Sequence, residues 1–171
     1  MVETERLCII PLKPAELECY LQAGGQLEKL FNLKDTGRMV SEEVRDRVNR
    51  LILPKLRQMK GSDYLFSTFW IVVENASSAI VAELGFKGLP DKQGTIEIGY
   101  GTMPEQRGKG IMTEAVAGII RWAKSKPEIH CLIAETDMNN LASMRVMEKN
   151  HFVPFDLTEN MKWWRISVSE L

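Results

Sequence analysis

The chain has 171 residues, with 22 Lys plus Arg against 23 Asp plus Glu, for a formal charge of −1. That length suits one domain able to bury a sizeable core, and 44% hydrophobic with 26% charged residues excludes a disordered or low-complexity chain. The even charge balance argues against a dedicated nucleic-acid binder, and no apolar run approaches the roughly 20 residues of a membrane span.

Cys8, Cys19 and Cys131 lie far apart with no C-x-x-C pair. They support neither a disulfide framework nor a zinc ribbon and point to a reducing compartment. The charged start, Met1 to Arg6, has no long apolar stretch behind it and does not read as a secretory signal, so a cytoplasmic protein is expected.

In chain order, the apolar run Leu7 to Leu12 predicts a first strand. Pro14 then stands where a helix begins, with helix formers over Ala15 to Ala23 and a stop at Gly24-Gly25. Gln26 to Leu33 predicts a short helical piece. A longer helix opens at Ser41-Glu42-Glu43 with acidic residues in its first turn. Val44, Val48, Leu51, Ile52, Leu56 and Met59 make one apolar stripe on it, read as core, and Pro54 should kink it. After Gly61 the period changes. Tyr64 to Val73, Ala79 to Lys87 and Thr95 to Thr102 predict strands. Lys109 to Lys124 predicts a helix with Met112, Val116, Ile119 and Ala123 on one face. Strand Ile129 to Thr136, helix Leu141 to Lys149 and strand Met161 to Val168 follow. Short turns and helical crossovers alternate, so the expected fold is a single α/β domain, residues 1–171, with a mixed, mostly antiparallel sheet flanked by helices.

The most informative stretch runs from Glu97 to Ile111. A strand enters a loop carrying Gly108 and Gly110, and a helix begins at once. The first amides of a helix lack internal partners and its dipole favours anions, so this arrangement suits a pyrophosphate, with Arg107 and Lys109 adding charge. A Walker loop fails on spacing, because Met103 and Gly110 occupy positions that need glycine and Ser or Thr. The G-x-G-x-x-G fingerprint fails too, at Pro104 or Thr113. On local physics alone, an ordinary strand-to-helix turn fits these residues equally well.

The stretch resembles motif A of the GNAT superfamily of N-acetyltransferases, Q/R-x-x-G-x-G/A before a helix. It matches at Gly108 and Gly110, with Glu105 in place of the leading Gln or Arg. Thr4-Glu5-Arg6-Leu7 resembles the opening of the RimJ/RimL-like branch. Asn140-Leu141-Ala142-Ser143, followed by Val146 to Phe152, resembles that branch's N-x-x-S and V-L-E-K-x-G-F, with His151 where the family usually has glycine.

The resemblance implies direct attack of an amine on the thioester of acetyl-CoA, with no metal. It implies a cofactor site at Thr102, Met103, Arg107, Gly108, Lys109, Gly110, Ile111, Asn140 and Ser143, with Ser143 serving the leaving sulfur. A simple helix cap is the other reading of Ser143. Glu97, between Ile96 and Ile98 and facing away from both, is a candidate general base. Glu135 is a second, and a structurally paired carboxylate is the plain reading of either. The implied acceptor is an amine-bearing small molecule or peptide, bound by residues 24 to 62 and the end of the chain, whose charges show no dominant sign. The chain would act as a monomer or homodimer, without nucleic acid or membrane. A non-catalytic acyl-CoA-binding module is the alternative, and the polar residues at positions 97, 135 and 143 favour the enzyme. His130 and His151 show no metal-ligand spacing. Trp163 and Trp164 should face opposite sides of a sheet, one of them in the core.

Overall fold

Strand alternation sets the frame of the computed structural model, which describes residues 1–168. β1 (Val2–Glu3), β2 (Leu7–Pro11), β3 (Phe69–Glu74), β4 (Ala79–Phe86), β5 (Thr95–Thr102), β6 (Cys131–Asp137), β7 (Val153–Leu157) and β8 (Met161–Ser167) form one sheet in the order β1-β2-β3-β4-β5-β6-β8-β7. Every neighbouring pair is antiparallel except β5 and β6, which are parallel. The sheet is flanked by helices α1 (Pro14–Leu21), α2 (Gln26–Leu30), α3 (Glu42–Arg47), α4 (Leu53–Leu56), α5 (Ile111–Lys124) and α6 (Leu141–Lys149). The expected mixed α/β architecture is present. No helix among the described residues is long and apolar enough to cross a membrane.

The period-2 pattern divides the apolar residues between two cores, one on each face of the sheet. Ile9, Trp70, Ile96, Ile98, Leu132 and Trp164 pack beneath α5 and α6. Leu12, Ile71, Val73 and Ile80 pack beneath α1 to α4 with Leu17, Leu27, Val48, Leu53 and Leu56. The predicted stripe of α5 is the buried one, and Gly118 sits at its closest approach to the sheet. A Cβ there would lie 2.9 Å from Thr4 Cγ2 and 3.2 Å from Ile9 Cδ1. Trp164 is the core tryptophan and donates from Nε1 to Thr136 Oγ1 at 2.9 Å, so its one polar atom is satisfied.

Four local features depart from the sequence reading. The strand expected from Tyr64 begins only at Phe69, because Asp63–Phe66 form a 3-10 turn. That turn folds Phe66 against Phe86 and Trp122, with ring centroids 5.9 and 5.8 Å away. β1 and β7 were not expected. β7 is exposed along its whole length and contains Pro154, which a sheet tolerates at its edge. Finally, the long helix does not simply kink at Pro54. Val48–Ile52 form a π-turn in which Leu53 N donates to Val48 O, and Pro54, without an N–H, opens α4. The wider turn also divides the apolar stripe. Val48 and Leu56 enter the core, while Leu51 is 66% exposed.

His151 ends α6 in the left-handed region at φ +62. A side chain there strains the backbone where glycine would not. His151→Gly should therefore stabilise the protein by up to about 1 kcal/mol, raising Tm by about 2–4 °C in thermal unfolding.

Candidate active site

β5 and β6 pair at only three registers, Thr95↔Cys131, Ile96↔Leu132 and Glu97↔Ile133. Beyond Glu97 the strands diverge. Ile98 to Thr102 keep β4 on one side, and Ala134 to Asp137 keep β8 on the other. The wedge between them opens into a cleft of about 890 Å³, lined by Tyr100 to Thr102, the glycine loop, the start of α5 and the first turns of α6.

The loop is built as its sequence suggests. Gly108 and Gly110 both have φ +76, and no heavy atom lies within 4 Å of a Cβ placed on Gly108. Gly110 is the N-cap of α5 and no side chain caps that helix, so its first amides face the cleft. The loop is braced from the N-terminal segment. Arg6 donates from a guanidinium nitrogen to Lys109 O at 3.2 Å, and its Nε pairs with Glu114 Oε2 at 2.6 Å. Thr4 Oγ1 and Arg6 N donate to Glu114 Oε1 at 2.6 and 2.8 Å. Partial burial works against the Glu114 charge, but these hydrogen bonds and the Arg6 charge outweigh it and lower its pKa.

Across the wedge, the Ser143 hydroxyl lies 2.7 Å from the Tyr100 hydroxyl. Ser143 is not the helix cap. Asn140 is, accepting from Ser143 N at 3.0 Å through its side chain. Burial raises the Tyr100 pKa against the opposing effect of the Ser143 contact, so its phenol stays protonated. The first turn of α6 thus presents one hydroxyl, held in place by a second, at the mouth of the wedge.

A groove of about 660 Å³ opens on the opposite face of the sheet. Its floor is Glu83, Gly85, Gly99 and Gly101, which the β4–β5 register places side by side. Its walls are Val44, Arg47, Leu51, Ile52 and Lys55 of the helical rod, with Ser67 to Phe69. Tyr20 donates its hydroxyl to Glu83 Oε2. Burial, then the Glu83 carboxylate, hold the Tyr20 phenol far above the usual tyrosine range, so it remains a donor. The two cavities share Tyr100 and Gly101.

The predicted site residues separate in three dimensions. Thr102, Arg107, Gly108, Gly110, Ile111, Asn140 and Ser143 line the wedge. Met103 and Lys109 do not. Met103 packs against the second core, and the Lys109 ammonium donates to Gln106 Oε1 at 2.8 Å. Glu97 and Glu135 share Lys87, which lies against Glu97 Oε1 and 2.7 Å from Glu135 Oε1, and neither acid lines either cavity. Burial disfavours the Lys87 charge, but its bonds to Glu135 and Glu97 prevail and raise its pKa. The sequence reading missed Tyr100, Glu83, Arg145 and Lys149. Arg145 and Lys149 line the wedge one turn apart on α6, a signal present in their i,i+4 spacing. Among the described residues, no group of three or more His, Cys, Asp or Glu is placed to hold a metal.

The acetyltransferase (GNAT) domain model matches residues 6–153. The chain belongs to the GNAT acetyltransferase family. It is 30% identical over 166 residues to the uncharacterized N-acetyltransferase YjdG of Bacillus subtilis, covering 96% of both chains. Its fold matches RimL, a ribosomal L7/L12 alpha-N-protein acetyltransferase in complex with coenzyme A, with a TM-score of 0.66, 16% identity and 96% and 95% of the two chains covered. It equally matches spermidine N-acetyltransferase from Vibrio cholerae in complex with CoA and spermine, with a TM-score of 0.66, 13% identity and 98% of both chains covered. The protein is an acetyl-CoA-dependent N-acetyltransferase.

As a GNAT enzyme, it must hold a pyrophosphate, and the wedge fits one. The open space at Gly108 and the uncapped amides of α5 have the room and polarity of a cradle for it. Arg107, Arg145 and Lys149 line the same cleft, opposed by Asp137 alone among its charged residues. Glu105, the departure from the family motif, sits exposed on the Pro104–Gln106 turn outside the cleft.

CoA at 100 times its Kd should stabilise the protein by about 2.7 kcal/mol. Gly108→Asp, which adds bulk and negative charge to the cradle, should abolish that thermal shift. Glu114→Gln should cost about 1–3 kcal/mol at pH 7. Its folded pKa lies below the ordinary 4.5, so the contribution is full above that pH and fades as pH falls through the folded value. Denaturant unfolding should show the two proteins converging in acid.

Proposed function

We propose that the wedge holds acetyl-CoA, that the opposite groove holds the acceptor amine, and that the two meet through the sheet at Tyr100 and Gly101. The shared lining carries the reading, because among the described residues no others border both cavities. Bound there, acetyl-CoA supplies a thioester carbonyl carbon, to which the amine nitrogen bonds as the C–S bond breaks and its electron pair leaves on sulfur. Ser143 gives that sulfur a hydrogen bond, in an orientation fixed by Tyr100, and the departing thiolate takes its proton from solvent. Glu83, the carboxylate on the groove floor, takes the proton lost by the amine nitrogen. This assignment replaces Glu97 and Glu135, whose carboxylates Lys87 already holds. Backbone amides of the Gly108 to Ile111 loop hold the pyrophosphate, with Arg107 beside them. Asn140 fixes the α6 turn that carries Ser143. That Asn140–Ser143 pattern also supports placing the chain in the RimJ/RimL-like branch.

Release of free thiol from acetyl-CoA, measured over a panel of peptides and small amines, tests the reaction. Ser143→Ala should lower kcat by about 10²-fold with CoA affinity nearly unchanged, since the donor acts in the transition state. Tyr100→Phe should fall between that variant and wild type. Glu83→Gln should lower kcat severely at pH 7, by a factor that shrinks as pH rises towards the acceptor's own pKa. Full activity in Glu83→Gln, or a severe loss in Glu97→Gln with the fold intact, would return the base to Glu97.

A further inference from the structure

The helical segment from Glu42 to Arg57 carries five basic side chains, Arg45, Arg47, Arg50, Lys55 and Arg57. Three are engaged within the protein. Arg45 donates to Leu21 O, Arg50 pairs with Asp46 at 2.7 Å, and Arg57 pairs with Glu18 at 2.6 Å. Arg47 and Lys55 make no ion pair or hydrogen bond among the described residues, and both line the groove. They stand on one wall, on either side of the exposed Leu51. Lys55 Nζ comes within 3.7 Å of the point a Cβ on Gly88 would occupy, so it leans over the end of β4. The third cation of the groove, Lys87, is taken up by Glu97 and Glu135. The lining therefore holds two unpartnered positive charges on one wall and one carboxylate, Glu83, on the floor.

We infer that the acceptor is a primary amine bearing a carboxylate, its amine end at Glu83 and its carboxylate between Arg47 and Lys55. The inference rests on the acetyl-transfer reading of the same groove. A neutral amine would leave both cations without a partner. A polyamine would bring a second ammonium against them, and like charges facing each other across a contact select against that ligand. The carboxylate has two sources of the same chemistry, a free amino acid and an acidic residue close behind a peptide's free amine. Leu51 and Val44 offer apolar contact to whatever carbon chain joins the two ends.

The test measures kcat/KM by thiol release with four probes: free glutamate, glycyl-glutamate, glycyl-glutamine amide and spermidine. The better of the two anionic probes should exceed the neutral amide by about tenfold, the effect of pairing with two partly exposed cations. Spermidine should be the poorest. Which anionic probe is faster separates the free amino acid from the peptide. In the Arg47→Glu/Lys55→Glu double variant the anionic preference should vanish and spermidine should gain, while the CoA-induced thermal shift persists. Equal or better turnover of the amide or of spermidine by wild type overturns the inference, and so does a preference that survives the double variant. Wild type that shows the CoA shift but acetylates none of the four probes overturns the inference and leaves the cofactor site standing. Absence of the CoA shift overturns both readings.

Discussion

The early end of pairing between β5 and β6 is the constraint on which the site depends. A sheet normally satisfies every backbone amide and carbonyl along an interior strand. Here Ile98 to Thr102 and Ala134 to Asp137 each keep one strand neighbour and lose the other. The gap lies in the middle of the sheet, not at an edge, so it connects the two faces. α5 begins beside one lip and α6 beside the other, which brings uncapped amides, Ser143 and the cationic face of α6 to the same opening. Tyr100 crosses the gap to α6. Closing the wedge by continued pairing would remove the cleft and alter the groove on the other face, since both are lined by Tyr100 and Gly101.

The groove on the other face depends on a different device. Glu28 and Arg38 form an almost fully buried ion pair at 3.0 Å, and the Arg38 guanidinium stacks 4.2 Å from the Tyr20 ring centroid. Arg38 also donates to Tyr20 O at 3.2 Å. Tyr20 in turn donates to Glu83. A buried pair of this kind contributes little net stability, but removing one partner strands the other's charge. Its effect here is positional. The segment between α2 and α3 is tied to α1, and α1 holds the carboxylate of the groove floor in one orientation.

The elements with strong period were legible in the sequence. Thr95 to Thr102 alternates cleanly, and the apolar stripe of α5 is the one that is buried. The shape of the Gly108–Gly110 loop was legible because two glycines and a helix start impose a conformation locally. What the sequence did not show was set by partners distant in the chain. The Tyr100–Ser143 contact spans 43 residues, and nothing local to Gly99-Tyr100-Gly101 announces it. Nothing local to Glu97 announces Lys87, just beyond the end of β4, which pairs with it. Residues 24 to 62 showed mixed charges with no dominant sign. Which of their cations are already engaged shows only in three dimensions, where Arg38 pairs with Glu28, Arg50 with Asp46 and Arg57 with Glu18. β7 was hidden by Pro154 and by its lack of a buried face.

The division of the interior into two cores has a consequence for descent. The helical wall of the groove is anchored mainly in the core beneath α1 to α4, and the residues that shape the wedge in the core beneath α5 and α6. Substitutions that reshape the first need not disturb packing in the second, because the sheet stands between them. One cavity can therefore be reshaped while the other is inherited unchanged. Variation should accumulate along the rod from Glu42 to Leu56, where the π-turn already accommodates one residue more than a regular helix would.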